Sequence, residues 1–326
     1  MKIAFTSCAS RNLVRTQPIW DDILASQPDH VVLLGDNLYL DVPDFSIDQL
    51  QKMATWEFTE HLFVRYQQQL TEPRFRNLVS APNITLHAFW DDNDFTWNDA
   101  MGAKLLADPN QAEKVKISTN FMRAFRQALA SKNLRTFPQR PDAPEFWQDW
   151  NSNAFTPLGK TSLALEPNGR SWLHLTDRRT FRRKNDLLGT GQRHQLSQDF
   201  ASHPQALHII AIGVAYSQGD CWENYSQDRQ WLQGEMINKN WLMLSGDLHA
   251  NYMLIHELSS HSKLVELTAS GAAIHAYLNG PIKGPEVRNF GTVEIQNNQI
   301  VCRLLSFNKV STEQVFARSA GGQLIV

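Results

Sequence analysis

The sequence predicts an α/β sandwich built on a mixed β-sheet, and three observations carry that prediction. Short, β-rich apolar runs alternate with longer amphipathic segments through the first half of the chain. Strand-like runs then follow one another in the last third. Hydrophobic residues make up 42% of the 326 and charged residues 20%, enough apolar material for a sizeable core.

Lys2–Thr6 reads as the first strand, and QPIWDDILASQ (17–27) as a helix with Pro18 in its first turn, where a missing N–H costs nothing. HVVLLGD (30–36) is a second buried strand. Across residues 47–80, Ile47, Leu50, Met53, Trp56, Phe58 and Leu62 fall near helical spacing, and Pro73 and Pro82 punctuate the run. ITLHAFWDD (84–92) is the third strand and residues 112–129 a helix. Residues 133–160 hold four prolines and no period, so they read as a loop or an inserted lobe. Further strands fall at 171–177, 207–214, 241–247 and 263–270, then a hairpin over 291–307 that turns at Asn297-Asn298. No repeat or linker divides the chain, so one domain over 1–326 is expected.

Bulk charge narrows the partners. A net charge of -2 gives no global pull toward nucleic acid or an anionic membrane, so any anion binding must be local. MKIAFTSCAS has too short an apolar core for a signal peptide, and no run reaches the roughly 18 apolar residues of a membrane span. Cys8, Cys221 and Cys302 are odd in number and far apart, which suits reduced thiols. The expectation is a cytoplasmic protein with no membrane partner, and with nucleic acid only as a substrate.

Chemistry collects at strand ends. Gly35-Asp36, Asp91-Asp92, Asp177 and Gly246-Asp247 each close a buried strand with an acid. A lone strand-end Asp is more often a helix cap than a ligand. Four that converge at one sheet edge would repel strongly, and a bound cation removes that penalty. Cys8 follows the first strand, Tyr39 lies three residues after Asp36, and His249 lies two after Asp247. Singly, Cys8 reads as a core thiol, Tyr39 as a half-buried aromatic and His249 as a satisfied core histidine. Together a thiolate, a phenolate and an imidazole favour Fe or Zn, while carboxylate and amide oxygens suit Ca, Mg or Mn at a second position. Two such ions about 3.5–4 Å apart activate water and clamp a phosphoryl group. His87 and His174 lie within strands and read as core or supporting residues.

The run DRRTFRRKN (177–185) reads mostly as a solvated charged loop. One guanidinium turned to the metals would fork onto phosphate, and Arg179, two past Asp177, is the candidate. Phosphate-loop, dinucleotide and nucleophile-elbow motifs are absent from the sequence, as is a His-Glu-x-x-His pair.

In order, FTSCAS, PDHVVLLGDNLYLD, FWDDNDFTWNDA, LTDRRTFR with LLGTGQ, CWENYSQDR, LSGDLHA, LTASG and NFGTVEI span nearly the whole chain. That ordered set resembles the alkaline phosphatase D-like (PhoD-like) metallophosphoesterases. The resemblance implies a four-layer αββα sandwich of two mixed β-sheets and a binuclear or multinuclear metal centre, with iron and with calcium or another divalent ion. It implies that Cys8, Asp36 and Tyr39 bind the redox-type metal, Asp36 bridging. Asp92 and Asp247 would serve the second metal, with His249 a ligand or close neighbour. The implied reaction is hydrolysis of a phosphomonoester or phosphodiester by a metal-bridged hydroxide, on a phosphorylated small molecule or a diester.

Two departures stand out. Secreted members carry a signal and an extra N-terminal β domain, and this sequence shows neither pattern. Most members read Trp-Asp-Asp-His-Asp/Glu, and Asn93 stands where that His would serve the leaving oxygen. An amide donates a hydrogen bond but gives up no proton. Two functions therefore stay open. One is a phosphoesterase in which Asn93, Arg179 and His249 attend the reacting phosphate. The other is a degenerate member that binds a phosphorylated ligand or partner with little catalysis.

Overall fold

The computed structural model describes residues 1–142, 156–274 and 288–326. Strands β1 (Lys2–Thr6), β2 (His30–Leu34) and β3 (Thr85–Phe89) run parallel side by side. The late strands β10 (Asn289–Ile295), β11 (Gln299–Ser306), β12 (Lys309–Arg318) and β13 (Leu324–Ile325) continue from β1 in antiparallel fashion. This gives a mixed sheet in the order β13-β12-β11-β10-β1-β2-β3. A second mixed sheet contains β4 (Thr161–Ala164), β5 (Ser171–Leu175), β6 (Leu207–Ala211), β7 (Trp241–Ser245), β8 (Asn251–Ser259) and β9 (Ser262–Ala269), in the order β4-β5-β6-β7-β9-β8. The residue pattern alone called for one mixed sheet; there are two, because runs of equal hydrophobicity do not say which neighbour they pair with.

The second sheet is covered on both faces, and its alternation shows it. In β7, Leu242 and Leu244 join the large core shared with the first sheet, while Trp241 and Met243 turn to a separate cluster behind. Parallel strands buried on both faces read as continuous apolar runs, as WLMLS does. Helices α8 (Thr190–Ser202) and α9 (Ser226–Glu235) close that rear cluster through Leu196, Phe200 and Leu232.

On the outer side of the first sheet lie α1 (Ile19–Ala25), α3 (Thr55–Leu70), α4 (Pro73–Ser80) and α7 (Pro109–Ser131), with α2 (Ile47–Lys52) before α3 and the short α5 (Asp92–Phe95) and α6 (Gly102–Leu106) before α7. The layers are therefore helix, sheet, sheet, helix, an αββα sandwich. The helical run over 47–80 is broken into α2, α3 and α4, and Pro73 starts α4 rather than ending a helix. In α7, Asp108 caps the N-terminus and Pro109 takes the first position. Of residues 133–160, the described part includes a short 3-10 turn at Leu134–Thr136, and 143–155 lie outside the described residues. No described helix is long and apolar enough to cross a membrane.

Candidate metal centre

Strand ends bring the chemistry together. Beyond β1 stands Cys8, beyond β2 Asp36, beyond β3 Asp91, Asp92 and Asn93, and beyond β7 Asp247 and His249. Cys8 N donates to the Gly35 carbonyl at 3.3 Å and Ala9 N to that of Asp36 at 2.8 Å, which ties the first two loops. The glycine of each Gly-Asp pair serves close approach. A Cβ at Gly35 would lie 2.6 Å from the Asp91 Cβ, and one at Gly246 would lie 2.4 Å from Ser7 Oγ. Cys8 (φ 60), Asp36 (φ 51), Asp247 (φ 71) and His249 (φ 51) all hold left-handed backbone. Such conformations cost on the order of 1–3 kcal/mol each and persist where surrounding structure enforces them, often at functional sites.

Asp36 is the hub. Its Oδ2 accepts from Tyr39 Oη at 3.0 Å, Asn93 Nδ2 at 3.4 Å and Cys8 Sγ at 3.5 Å. Tyr39 Oη also lies 3.1 Å from His249 Nε2. Two sets of ligand atoms fall within 4.8 Å of one another: Cys8, Asp36 and His249, and Asp36, Asp91, Asp92 and Asp247. Asp36 belongs to both. These groups can hold metal ions.

Electrostatics supply the test of fit. Burial, then Asp92, Asp247 and Asp94, push the Asp36 carboxyl well above its ordinary range. Burial and Asp36 do the same to the Cys8 thiol and the Tyr39 phenol. Burial raises Asp92 to about 6 against the opposing pull of Arg179. Burial also lowers the His249 imidazole. Asp36 Oδ1 is buried with no hydrogen-bond partner among the described residues. An orphaned carboxylate oxygen among acids, a thiol and an imidazole is what a cation would complete, and the cation would favour the deprotonated ligands. The residues fit a metal centre. Asp247, with its side chain 22% exposed, marks the open side.

The turn after β3 is held by its own acids. Asp91 caps the short helix α5 (Asp92–Phe95), and Asp94 accepts from Asp91 N at 2.6 Å and Asn37 N at 3.0 Å. Burial pushes the Asp94 carboxyl up to about 8. Asp92 accepts from Asn93 N at 2.9 Å and Asp99 N at 2.7 Å. Asn93 is 5% exposed and points into the acids.

Three expectations are corrected here. Asp177 does not converge with the other strand-end acids. It takes Trp90 Nε1 at 3.0 Å, Arg179 N at 3.1 Å and the Thr180 hydroxyl at 2.6 Å, and so shapes its own loop. The 177–185 run is not mainly solvated, because Arg178, Arg179 and Arg182 are buried. Nor is Arg179 an open fork. Its Nε pairs with Asp91 and its Nη2 lies 3.1 Å from Asp92 Oδ2, while Arg178 pairs with Asp91 and Arg182 with Asp220. A cluster with more acids than its ligand sets can neutralise draws in guanidinium counter-charges.

Asp91, read with Asp92 as a strand-end acid, joins the acidic set, and sequence reasoning missed Arg178 as its partner. The signal was the doubled Asp91-Asp92, one acid more than a cap needs. His87 and His174 lie in strands, bonded to His30 and His208.

No family model and no curated protein matches the chain. Among solved structures it is similar to a conserved uncharacterised protein from Streptococcus pneumoniae, described as a predicted phosphoesterase, at 11% identity over 97% of each chain with a TM-score of 0.33.

Proposed function

We propose that this protein is a metal-dependent phosphoesterase acting on phosphomonoesters or phosphodiesters, with the ordered motif set of the alkaline phosphatase D-like family in support. The observation that carries the reading is Asp36, one carboxylate shared by two ligand groupings. On this reading Cys8, Asp36, Tyr39 and His249 hold Fe or Zn, and Asp36, Asp92 and Asp247 hold Ca, Mg or Mn, with Asp91 set aside for the arginines. A cation pair so held supplies an acidified water and a counter-charge for the phosphoryl group.

The chain's own residues divide the remaining work. Asn93 Nδ2 is the donor at the reacting phosphate, while the His249 ring nitrogen serves the metal. Arg179, expected on phosphate, acts instead through Asp91 and Asp92 by fixing their carboxylates. A cytoplasmic setting, where Cys8 stays reduced, belongs to the same reading.

A second reading has Asn93 behind it: the site binds a phosphorylated ligand and turns it over poorly, for want of a proton donor at that position. Metal analysis of the purified protein with a bis-p-nitrophenyl phosphate assay tests the first reading. Stoichiometric metal with turnover is expected; metal without turnover favours the second, and neither overturns both.

A further inference from the structure

Arg178, Arg179 and Arg182 are buried and each is paired with an acid, so positive charge open to a ligand has to come from elsewhere. One lies on the turn that follows Cys8. Arg11 and Arg15 line a cavity of about 360 Å³ with Asn12, Asp44, Gln68 and Thr71. Neither arginine has an ion-pair or hydrogen-bond partner among the described residues, whereas Asp44, the acid in the lining, is already paired with Arg65. Two uncompensated guanidiniums in one cleft make a local positive site in a chain of net charge -2.

The cleft is coupled to the metal centre by packing. Leu13, between the two arginines, packs on the buried cluster of Cys8, Tyr39 and Ile274. Asn12 Nδ2 donates to the Val42 carbonyl at 2.5 Å, joining the turn after β1 to the loop after Asp36 and Tyr39. Leu13 N and Val14 N donate to the Ser10 carbonyl at 3.2 and 2.8 Å, which fixes the turn itself. The arginines are thus presented from a turn that packs through Leu13 on the cluster containing Cys8 and Tyr39. Guanidiniums without an ion-pair partner of their own are suited to a bidentate grip on phosphate.

We propose that the Arg11–Arg15 cleft binds a second, non-scissile phosphate, so that the substrates favoured by this protein are small molecules carrying two phosphates. The proposal rests on the phosphoesterase reading for what happens at the metals, but the cleft's anion binding stands apart from it.

The test uses a nucleoside 3′,5′-bisphosphate, its 5′-monophosphate, and bis-p-nitrophenyl phosphate, which has a single phosphate. In Arg11→Ala/Arg15→Ala, affinity for the bisphosphate by calorimetry is expected to fall about tenfold or more per arginine lost, while the monophosphate changes little. If the bisphosphate is turned over, its KM rises in step, and KM and kcat for bis-p-nitrophenyl phosphate stay put. Arg11→Lys/Arg15→Lys, which keeps the charge, recovers part of the loss.

Equal effects on bisphosphate and monophosphate would overturn the proposal. So would a fall in Tm with no change in binding, the result if the arginines only answer the C-terminal end of α3. Bisphosphate binding that depends on the arginines, without hydrolysis of any ester, would retain the cleft and sink the phosphoesterase reading.

Discussion

Asn93 Nδ2 stands 3.4 Å from Asp36 Oδ2 and 3.3 Å from Asp92 Oδ1, so one neutral amide bridges the shared carboxylate and an acid of the second grouping. An imidazole there would add a transferable proton where the amide offers only a hydrogen bond. Its value depends on the leaving group, since a nitrophenolate departs without a proton and an alkoxide does not. Asn93→His is therefore expected to raise kcat on alkyl phosphate esters by up to about 10²–10⁴-fold, and on nitrophenyl esters far less. Metal content measured alongside guards against a disturbed site. A uniform change across leaving groups would sink the proton-donor account.

Asp36 carries the conflict between stability and function. Without a cation its carboxyl is crowded by Asp92, Asp247 and Asp94 and driven toward the protonated form. Asp36→Asn copies that neutral state, and Asn tolerates the φ of 51 that the position demands. The metal-free variant should melt above the metal-free parent, at a rate on the order of 1.5 °C per kcal/mol for a chain of this length. It should also lose the rise in Tm that added divalent ion gives the parent. Thermal melts with chelator and with metal check both halves, and a variant that melts lower without metal refutes the repulsion.

These two residues also show what the sequence made legible. Asp36, Asp92, Asp247, Cys8, Tyr39 and His249 could be picked because residue type and strand-end position are written locally. Asp177 had the same local signature and a different fate, because besides the nearby Thr180 hydroxyl its partner is Trp90, far away in sequence. Burial of Arg178 and Arg179 was invisible for the same reason: a charged loop looks solvated until its acids are known to sit across from it. In the fold, β12 escaped because most of its residues are exposed and polar, without the alternation that marks a half-buried strand. Division into two sheets depends on pairing, which no single run encodes.

Arg179 supplies a third prediction. It touches Asp91 and Asp92 and is fully buried, so Arg179→Ala leaves buried carboxylate short of counter-charge. Loss of one partner of such a pair costs about 3–5 kcal/mol. Urea denaturation of metal-free protein should show that loss, and divalent ion should recover part of it by neutralising Asp92. Unchanged stability with a raised KM would instead make Arg179 a phosphate ligand.

The last prediction concerns pH and lies away from the metals. His208 Nε2 lies 3.1 Å from the His203 carbonyl, which assigns its proton there and leaves Nδ1 bare. His174 Nε2 lies 3.0 Å from that Nδ1 and so donates to it. A second proton on His208 would set N–H against N–H inside the core, while one on His174 would go to Nδ1, which faces Ser162 Oγ at 2.9 Å. Burial accordingly depresses His174 to about 3 and His208 to about 4. Their unfolded value is about 6.5, so below it the unfolded chain binds more protons than the fold. The stability they contribute is complete above about pH 6.5 and is lost as pH falls toward 4 and then 3, at up to about 1.4 kcal/mol per unit for each ring. His87, also lowered to about 4, adds to the same slope. Asp92 and Asp94, raised to about 6 and 8, act in the opposite direction, so parent and variant must be compared at each pH. In His174→Gln/His208→Gln, where neither side chain can charge, the decline in urea stability from pH 6.5 to 4.5 should be shallower than in the parent. An identical slope would mean that the pair takes up protons in the folded state without penalty.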